Sequence, residues 1–225
     1  MNFLEDITKI VNLTHNIHEG IQIFPKPWHK RVIFEKIGRI QKVGRNTTQL
    51  HIGTHTGTHI DAPSHFIQDG KSISQIELAR FIGNAYLINL THLQEKHAVS
   101  IGDVESSLKS VPLNSIIIFK FGWGLNFGLP NYYSNQPYFL PETARYILGF
   151  KPKLIGYDLA MPDNPMEGLE SKYDSQIHKI FLSNDVPLLE NLYLQDLDTR
   201  RFNIVALPLN LEGLDGSPVR CIGFL

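Results

Sequence analysis

The segment "HTGTHIDAPSHF" at residues 55–66 places three imidazoles and one carboxylate within eleven positions. His55, His59, Asp61 and His65 are side chains that bind divalent metals or transfer protons near neutral pH. Imidazole and carboxylate ligands together suit zinc, manganese or ferrous iron. Spacing alone leaves metal binding and ordinary packing about equally favoured, and the fourth group, His65, favours metal chemistry.

The residue types around these groups constrain the backbone that carries them. Thr56, Thr58 and Ile60 are β-branched and Gly57 lies between them, so a helix is disfavoured. A straight strand would separate His55 and His59 by roughly 13 Å, near the limit for two imidazoles on one metal. Because glycine bends the backbone at low cost, we expect a kink at Gly57, on a bent strand end or tight loop that follows "TTQLHIG".

The rest of the chain supplies elements that could position this segment. Apolar runs bounded by turn residues predict strands near 9–14, 31–37, 47–53, 84–90, 114–121, 153–157, 187–194, 202–208 and 218–224. Helices are predicted over "SISQIELARFI", "SIGDVESSLKSV", "LPETARYIL" and "YDSQIHKIFLSND". The balance predicts a strand-rich α/β fold with about four helices, in a single domain spanning residues 1–225. Segments 124–138 and 161–171 are predicted to be long loops, a type of segment that often carries function in a compact domain.

Composition excludes several classes of function. The 225 residues carry a formal net charge of −1, which gives no electrostatic footprint for nucleic acid or an anionic membrane. Cys221 is the only cysteine, so neither an internal disulfide nor a cysteine-rich zinc site is expected. The opening "MNFLEDITKIVNLTH" does not resemble a secretory signal, and no stretch approaches the roughly 18 apolar residues of a membrane span. We expect a soluble cytoplasmic protein.

The histidine-rich segment resembles the signature of the metal-dependent cyclase family, whose members include bacterial kynurenine formamidase and isatin hydrolase. The resemblance continues through "IVNLTHNIHEGIQIFP", "DGKSISQIELARFIGNAYLINL", "FGWG", "LIGYDLAMPD" and "ALPLNLEGLDGSPVR", in the family's order. It implies a barrel-like β core in a fold of the swivelling β/α/β type. It also implies a homodimer or homotetramer.

The resemblance assigns roles to individual residues of this chain. His55, His59 and Asp61 match the family's metal ligands, with Asp61 able to bridge two ions, and His65 matches its catalytic histidine. In "HKIFLSNDVPLLE", His178 and Glu190 have the separation of the family's second-site ligands. The implied cofactor is zinc, with one or two ions per chain, or manganese. No functional role is assigned to five other histidines: His15, His18, His29, His92 and His97.

The chain also departs from the family pattern. Asn12 stands where aspartate is usual, and Phe121 stands where threonine is usual. The segment "DLAMPDNPMEGLESK" is longer and less regular than expected, which leaves the substrate less determined than the chemistry. Asp158, Glu212, Asp215 and Arg220 lie in family-like stretches, and structural or dimer-contact roles are favoured for most of them.

The favoured function is that of an amidohydrolase similar to kynurenine formamidase (arylformamidase), acting on a small-molecule amide. Phe24, Trp28, Phe66 and Trp123 are candidate walls of its substrate pocket. One alternative is hydrolysis of a cyclic amide such as isatin, within the same family. Two alternatives of other classes are a non-haem iron oxygenase that uses His55, His59 and Asp61 as a facial triad, and a metal-binding protein without catalysis.

Overall fold

A closed, strand-rich barrel forms the centre of the molecule. The computed structural model describes residues 8–167 and 174–225. Its strands are β1 (Ile10–Asn12), β2 (Ile33–Gly38), β3 (Thr47–His51), β4 (His59–Asp61), β5 (Ile82–Asn89), β6 (Ala98–Val99), β7 (Ile116–Lys120), β8 (Tyr138–Phe139), β9 (Leu154–Tyr157), β10 (Leu188–Glu190), β11 (Arg201–Pro208) and β12 (Gly216–Phe224). The order β12-β11-β5-β7-β9-β10-β4 closes on itself because β4 also pairs with β12. The expected barrel-like α/β fold is therefore confirmed.

The barrel combines parallel and antiparallel pairing. The strands β5, β7, β9 and β10 are parallel to their neighbours in that order. The remaining contacts of the ring, through β11, β12 and β4, are antiparallel. β12 is long enough to pair with β4 through Gly216–Pro218 and with β1 through Ile222–Phe224. β4 is thus held on both sides.

Four α-helices occur in the described residues: α1 (Ile40–Val43), α2 (Ile101–Leu108), α3 (Pro141–Leu148) and α4 (Gln176–Leu182). α2 begins with the predicted capping box of Ser100 and Asp103, which satisfies backbone N–H groups that the first turn leaves free. α3 begins with Pro141, which needs no N–H partner there. No helix in the described residues is long and apolar enough to cross a membrane.

Two apolar cores lie on the two faces of the sheet. In β7, Ile116 and Ile118 belong to one core, whereas Ile117 and Phe119 belong to the other, as the two-residue period of a strand requires. The apolar sides of α2, α3 and α4 pack into the core that contains Ile117 and Phe119. Burial on both faces explains why β7 is an uninterrupted apolar run and not an alternating one.

One predicted helix is wrong. The segment "SISQIELARFI" at 72–82 forms two short 3₁₀ turns, Ile73–Gln75 and Leu78–Arg80, before β5 begins at Ile82. Ile73 and Ile76 are buried in the barrel core, and Ile82 pairs with Val205 of β11. Pairing with β11 therefore prevails over the three- and four-residue spacing that favoured a helix.

β2 and β3 form a separate hairpin, which is extended by α1 between them. In the described residues, this two-stranded sheet pairs with no other strand. Five apolar side chains of the hairpin and α1 are more than half exposed: Ile33, Ile37, Ile40, Val43 and Leu50. The exposure indicates a surface that is not fully covered within one chain.

Candidate metal centre

The histidine-rich segment bends sharply and then enters the barrel. Gly57 has a φ of 62°, in the left-handed region that favours glycine, which confirms the expected kink. The chain then forms β4, which lies between β10 and β12. A 3₁₀ turn, Pro63–His65, follows and presents His65. Turn, strand and turn thus deliver four polar side chains from one short segment.

Strand alternation selects which side chains of β4 reach the site. His59 and Asp61 share one face, whereas Ile60 between them is fully buried in the barrel core. Glu190 of β10 lies directly opposite His59 in the ladder. His59, Asp61 and Glu190 offer ligand atoms that all lie within 4.8 Å of one another. The register of two strands therefore brings a distant glutamate to the histidine motif.

Three imidazoles converge on the carboxylate of Asp61. The Asp61 Oδ1 atom lies 2.7 Å from His55 Nδ1 and 3.1 Å from His59 Nε2. The Asp61 Oδ2 atom lies 3.4 Å from Nε2 of His178, which projects from α4. Glu190 completes the group, with its carboxylate oxygens 3.6 Å from His59 Nε2 and 3.2 Å from His178 Nε2. The structure thus brings together all five residues that the family resemblance implies as metal ligands.

The outer nitrogen of each of these imidazoles is held by an acceptor. His59 Nδ1–H donates to the Gly57 carbonyl at 2.8 Å, and His55 Nε2–H donates to Asp215 at 2.8 Å. His178 Nδ1–H donates to Asp163, which also accepts the backbone N–H of Ile177. An acceptor behind the ring fixes the orientation of a metal-binding histidine and leaves its other nitrogen directed at the ion. The donor set therefore fits a divalent metal.

The electrostatics of the cluster support the same fit. Burial lowers the pKa of His55, but Asp61 and Asp215 outweigh it and raise the pKa to about 10. Burial likewise opposes the effect of Asp163, Asp61 and Glu190 on His178, whose pKa still lies well above its usual value. Burial raises the pKa of Asp61, but the neighbouring imidazoles hold it well below its ordinary range. The buried carboxylates thus favour positive charge among them, which protons or a metal can supply.

Tyr157 extends the support to the glutamate. Its hydroxyl donates to Glu190 Oε1 at 2.7 Å from the neighbouring strand β9. Burial, together with the charges of Glu190 and Asp61, raises the pKa of Tyr157 well above its usual value. The group therefore remains a phenol that donates its proton, and it fixes one oxygen of the glutamate.

His65 lies beside the cluster and is more accessible than the proposed ligands. Its ring stacks on His55 with centroids 3.8 Å apart, and its Nδ1 atom lies 3.4 Å from Asp215. Its side chain is 24% exposed, against 4% for His59 and 1% for Asp61. Its ring nitrogen also lies within 4.8 Å of ligand atoms of His55 and Asp61. The position suits a proton carrier, and it is also close enough for a metal ligand.

Gly216 allows His55 to approach β12. A Cβ atom at position 216 would lie 2.6 Å from the Ile60 carbonyl oxygen and 3.0 Å from His55 Cε1. Neither the backbone of β4 nor the imidazole held by Asp61 and Asp215 can move aside without disturbing the site. The glycine of "DGSPVR" is thus required by close packing against the candidate centre.

A cleft of about 460 Å³ opens beside the cluster, and His55, His65 and Asp215 contribute to its lining. Trp28 also lines it, whereas Phe66 packs against the rings of His65 and His178 at 4.3 and 4.6 Å. Phe24 packs against His29, whose ring lies 6.3 Å from that of His55.

Trp123 has a different environment from the other candidate walls. It is 6% exposed and belongs to an apolar core, and its indole N–H donates to the Tyr132 carbonyl at 3.0 Å. The surroundings of Trp123 are those of a packing residue, and its contact with substrate stays a prediction.

Two carboxylates support the histidines: sequence reasoning missed Asp163, and it named Asp215 without this role. Asp163 acts on His178 from 15 residues away, and Asp215 acts on His55 from 160 residues away. The motif "DGSPVR" drew attention to Asp215 without showing its partner. Among the other acidic candidates, Asp158 is buried and accepts the backbone N–H of Phe121, whereas Glu212 is exposed. Residues 168–171 of the predicted loop 161–171 lie outside the described residues.

Comparison with known proteins identifies the family. A family model described as "Putative cyclase" matches residues 11–164. A relative named kynurenine formamidase, from Geobacillus thermodenitrificans, is 29% identical over 212 residues, covering 93% of this chain and 94% of the relative. The chain therefore belongs to the cyclase family, and the expectation of a hydrolase of this family is confirmed.

Solved structures agree with the fold. An isatin hydrolase bound to the product analogue thioisatinate superposes with a TM-score of 0.86 at 18% identity, covering 96% of this chain and 92% of the other. A second structure, described as a potential metal-dependent hydrolase with cyclase activity, superposes with a TM-score of 0.78 at 25% identity, covering 96% and 97%.

Proposed function

We propose that this protein is a metal-dependent amidohydrolase that cleaves the C–N bond of an aryl formamide, in the manner of a kynurenine formamidase. The relative with that name aligns over nearly the whole of both chains. The observation that carries the proposal is the convergence of three supported imidazoles and Glu190 on Asp61. We place the enzyme in the cytoplasm, because a single buried cysteine suits a reducing compartment.

His55, His59, Asp61, His178 and Glu190 would hold two zinc or manganese ions. Asp61 is placed to serve both halves of the cluster, since one of its oxygens faces His55 and His59 and the other faces His178. A bound divalent ion supplies a nucleophilic hydroxide at neutral pH and polarises a carbonyl group. The residues of the chain hold the ligand geometry, because an outer acceptor fixes each imidazole.

His65 is the proposed proton carrier. It borders the cleft, so its imidazole can contact substrate, and its Nδ1 atom faces Asp215 at 3.4 Å. It would accept a proton from the attacking water and then protonate the leaving nitrogen, which must depart as a neutral amine. Asp215 would orient this ring and His55 together, because one of its oxygens faces both.

The oligomeric state is also a proposal. The β2–β3 hairpin and α1 expose five apolar side chains, and an isolated two-stranded hairpin is marginally stable in water. We propose that a second copy of this chain covers the hairpin, which gives a homodimer or a homotetramer built from such pairs.

A rate panel tests the substrate assignment. N-formylkynurenine, formanilide, acetanilide and isatin would be compared with purified protein that contains its metal. We expect both formyl compounds to react far faster than acetanilide, because the acetyl methyl group adds bulk where the carbonyl must approach the cluster. Isatin reacting fastest would move the assignment to cyclic amides, and no reaction with any of the four would contradict the proposal.

A further inference from the structure

The cleft beside the cluster has a second wall made of consecutive residues. Trp28, His29, Lys30 and Arg31 all line it, together with Ile23 and Ile52. Trp28 is 63% exposed, which is unusual for the largest apolar side chain and indicates a surface prepared for contact. The wall lies outside the proposed metal ligands, and the proposed chemistry assigns it no role.

This wall is positively charged. Lys30 and Arg31 are exposed, and neither has an acidic partner within salt-bridge distance in the part of the chain that the structure describes. Asp215 is the one acid among the residues that line the cleft, and it is engaged by His55 and His65. His51, which also lines the cleft, faces Glu35 at 3.3 Å. The two cations are therefore left to attract an anion from solution.

Ring contacts through His29 connect this wall with the cluster. The His55 ring lies 6.3 Å from His29, and the His29 ring lies 6.4 Å from Trp28. The His29 ring is therefore a neighbour of both the cluster and Trp28. An aromatic ring that carries both a formamide and a short acidic chain could present its amide to the cluster, its ring to Trp28 and its charge to Lys30 or Arg31.

We propose that Trp28, Lys30 and Arg31 form a substrate subsite that selects aryl amides bearing a carboxylate. The inference rests on the proposed function and names the substrate class of the same site. Trp28 would pack against the apolar part of the substrate. The planar guanidinium of Arg31 can hold a carboxylate through two parallel hydrogen bonds, and Lys30 adds a second charge. The amide end is thereby directed at the cluster.

Kinetics with a matched pair of substrates tests the subsite. N-formylkynurenine and its methyl ester differ in the carboxylate charge. We expect Arg31→Gln and Lys30→Gln each to raise KM for the acid roughly threefold, and the double variant about tenfold, with kcat and the ester's KM nearly unchanged. Raising the salt concentration should raise KM for the acid alone. Trp28→Leu should raise KM for both compounds, because it removes packing and no charge.

Lys96→Gln and Arg145→Gln are the controls. They remove a cation at exposed positions of a turn and of α3, outside the lining of the cleft and outside the β2–β3 hairpin. If these variants change KM for the acid as much as Arg31→Gln does, the effect comes from overall charge and the subsite is wrong. Equal KM values for acid and ester in the unaltered protein would also overturn it.

Equilibrium binding separates this inference from the proposed function. Calorimetry with kynurenine and kynurenine methyl ester needs no turnover. Tighter binding of the acid that depends on Arg31, without hydrolysis of either formyl compound, would retain the subsite and reject the formamidase. Hydrolysis of both compounds, with no preference for the acid and no effect of Arg31→Gln, would retain the formamidase and reject the subsite.

Discussion

Asp61 is the residue on which the candidate centre depends. It is 1% exposed, and its two oxygens face three imidazoles from three separate elements. A buried carboxylate in such a place needs compensating positive charge, since burying an unpaired charge is very costly. The arrangement explains why histidines, and not apolar residues, surround it.

The proton role of His65 can be separated from metal binding. In His65→Asn, an amide cannot carry the proton, so the hydrolysis rate should fall by about 10²- to 10⁴-fold while metal content and melting temperature stay unchanged. Steady-state kinetics, elemental analysis and a thermal melt give the three values. His92→Asn, at an exposed position, is the matched control. Loss of metal from the His65 variant would make His65 a ligand and reject the assignment.

At the residue scale, spacing along the sequence is enough to identify some residues of the site and not others. His55, His59, Asp61 and His65 fall in one segment, so their types and spacing alone indicated chemistry. His178 and Glu190 were found only through family resemblance. Asp163 carries no local signal, and the motif that contains Asp215 does not indicate its partner, because the partners of these acids lie 15 and 160 residues away and only the folded barrel brings them together.

At the scale of elements, β4 is one of three described strands, with β6 and β8, that the sequence patterns do not predict. Its three residues are too few to show a two-residue period, and two of them are polar. Its place was fixed instead by pairing with β10 and β12. That pairing sets His59 opposite both Glu190 and Pro218, so the register of the barrel determines the geometry of the site.

The kink before β4 can be tested with a pair of glycines. Gly57→Ala places a Cβ atom at a φ of 62° and 3.2 Å from Ile21 Cδ1. We therefore expect the free energy of unfolding to fall by about 1–2 kcal/mol and metal binding to weaken. Gly44→Ala has a similar φ of 74°, with no atom within 4 Å of the added Cβ. The free energy of unfolding of Gly44→Ala should fall by about 1 kcal/mol, and this variant should bind metal normally. Denaturant unfolding measures the stability of both variants, and metal titration measures their affinity for the ion. Normal metal binding by Gly57→Ala would refute the role of the kink.

At the scale of the whole molecule, the exposed hairpin predicts self-association. Ile37→Asp puts a charge on β2, where the side chain is 58% exposed in one chain, so the folded monomer should tolerate it. A buried interface would not tolerate it, and the variant should become monomeric at micromolar concentration while the unaltered protein is a dimer or larger. Light scattering during size-exclusion chromatography measures the molar masses of the variant and of the unaltered protein.

Leu78→Asp, at a 65% exposed position outside the hairpin, is the control and should keep the oligomer. A monomeric unaltered protein, or an Ile37→Asp oligomer of unchanged mass, would contradict the proposed interface.

Metal content per chain, measured together with formamide hydrolysis, tests the central claim most directly. The account predicts two zinc or manganese ions per chain, one ion in His178→Ala, and activity that is lost on chelation and restored by added metal. His178→Ala should retain one ion because His55 and His59 approach Asp61 through its other oxygen. One iron with oxygen uptake would favour the oxygenase. Full hydrolysis by protein without bound metal would contradict the account.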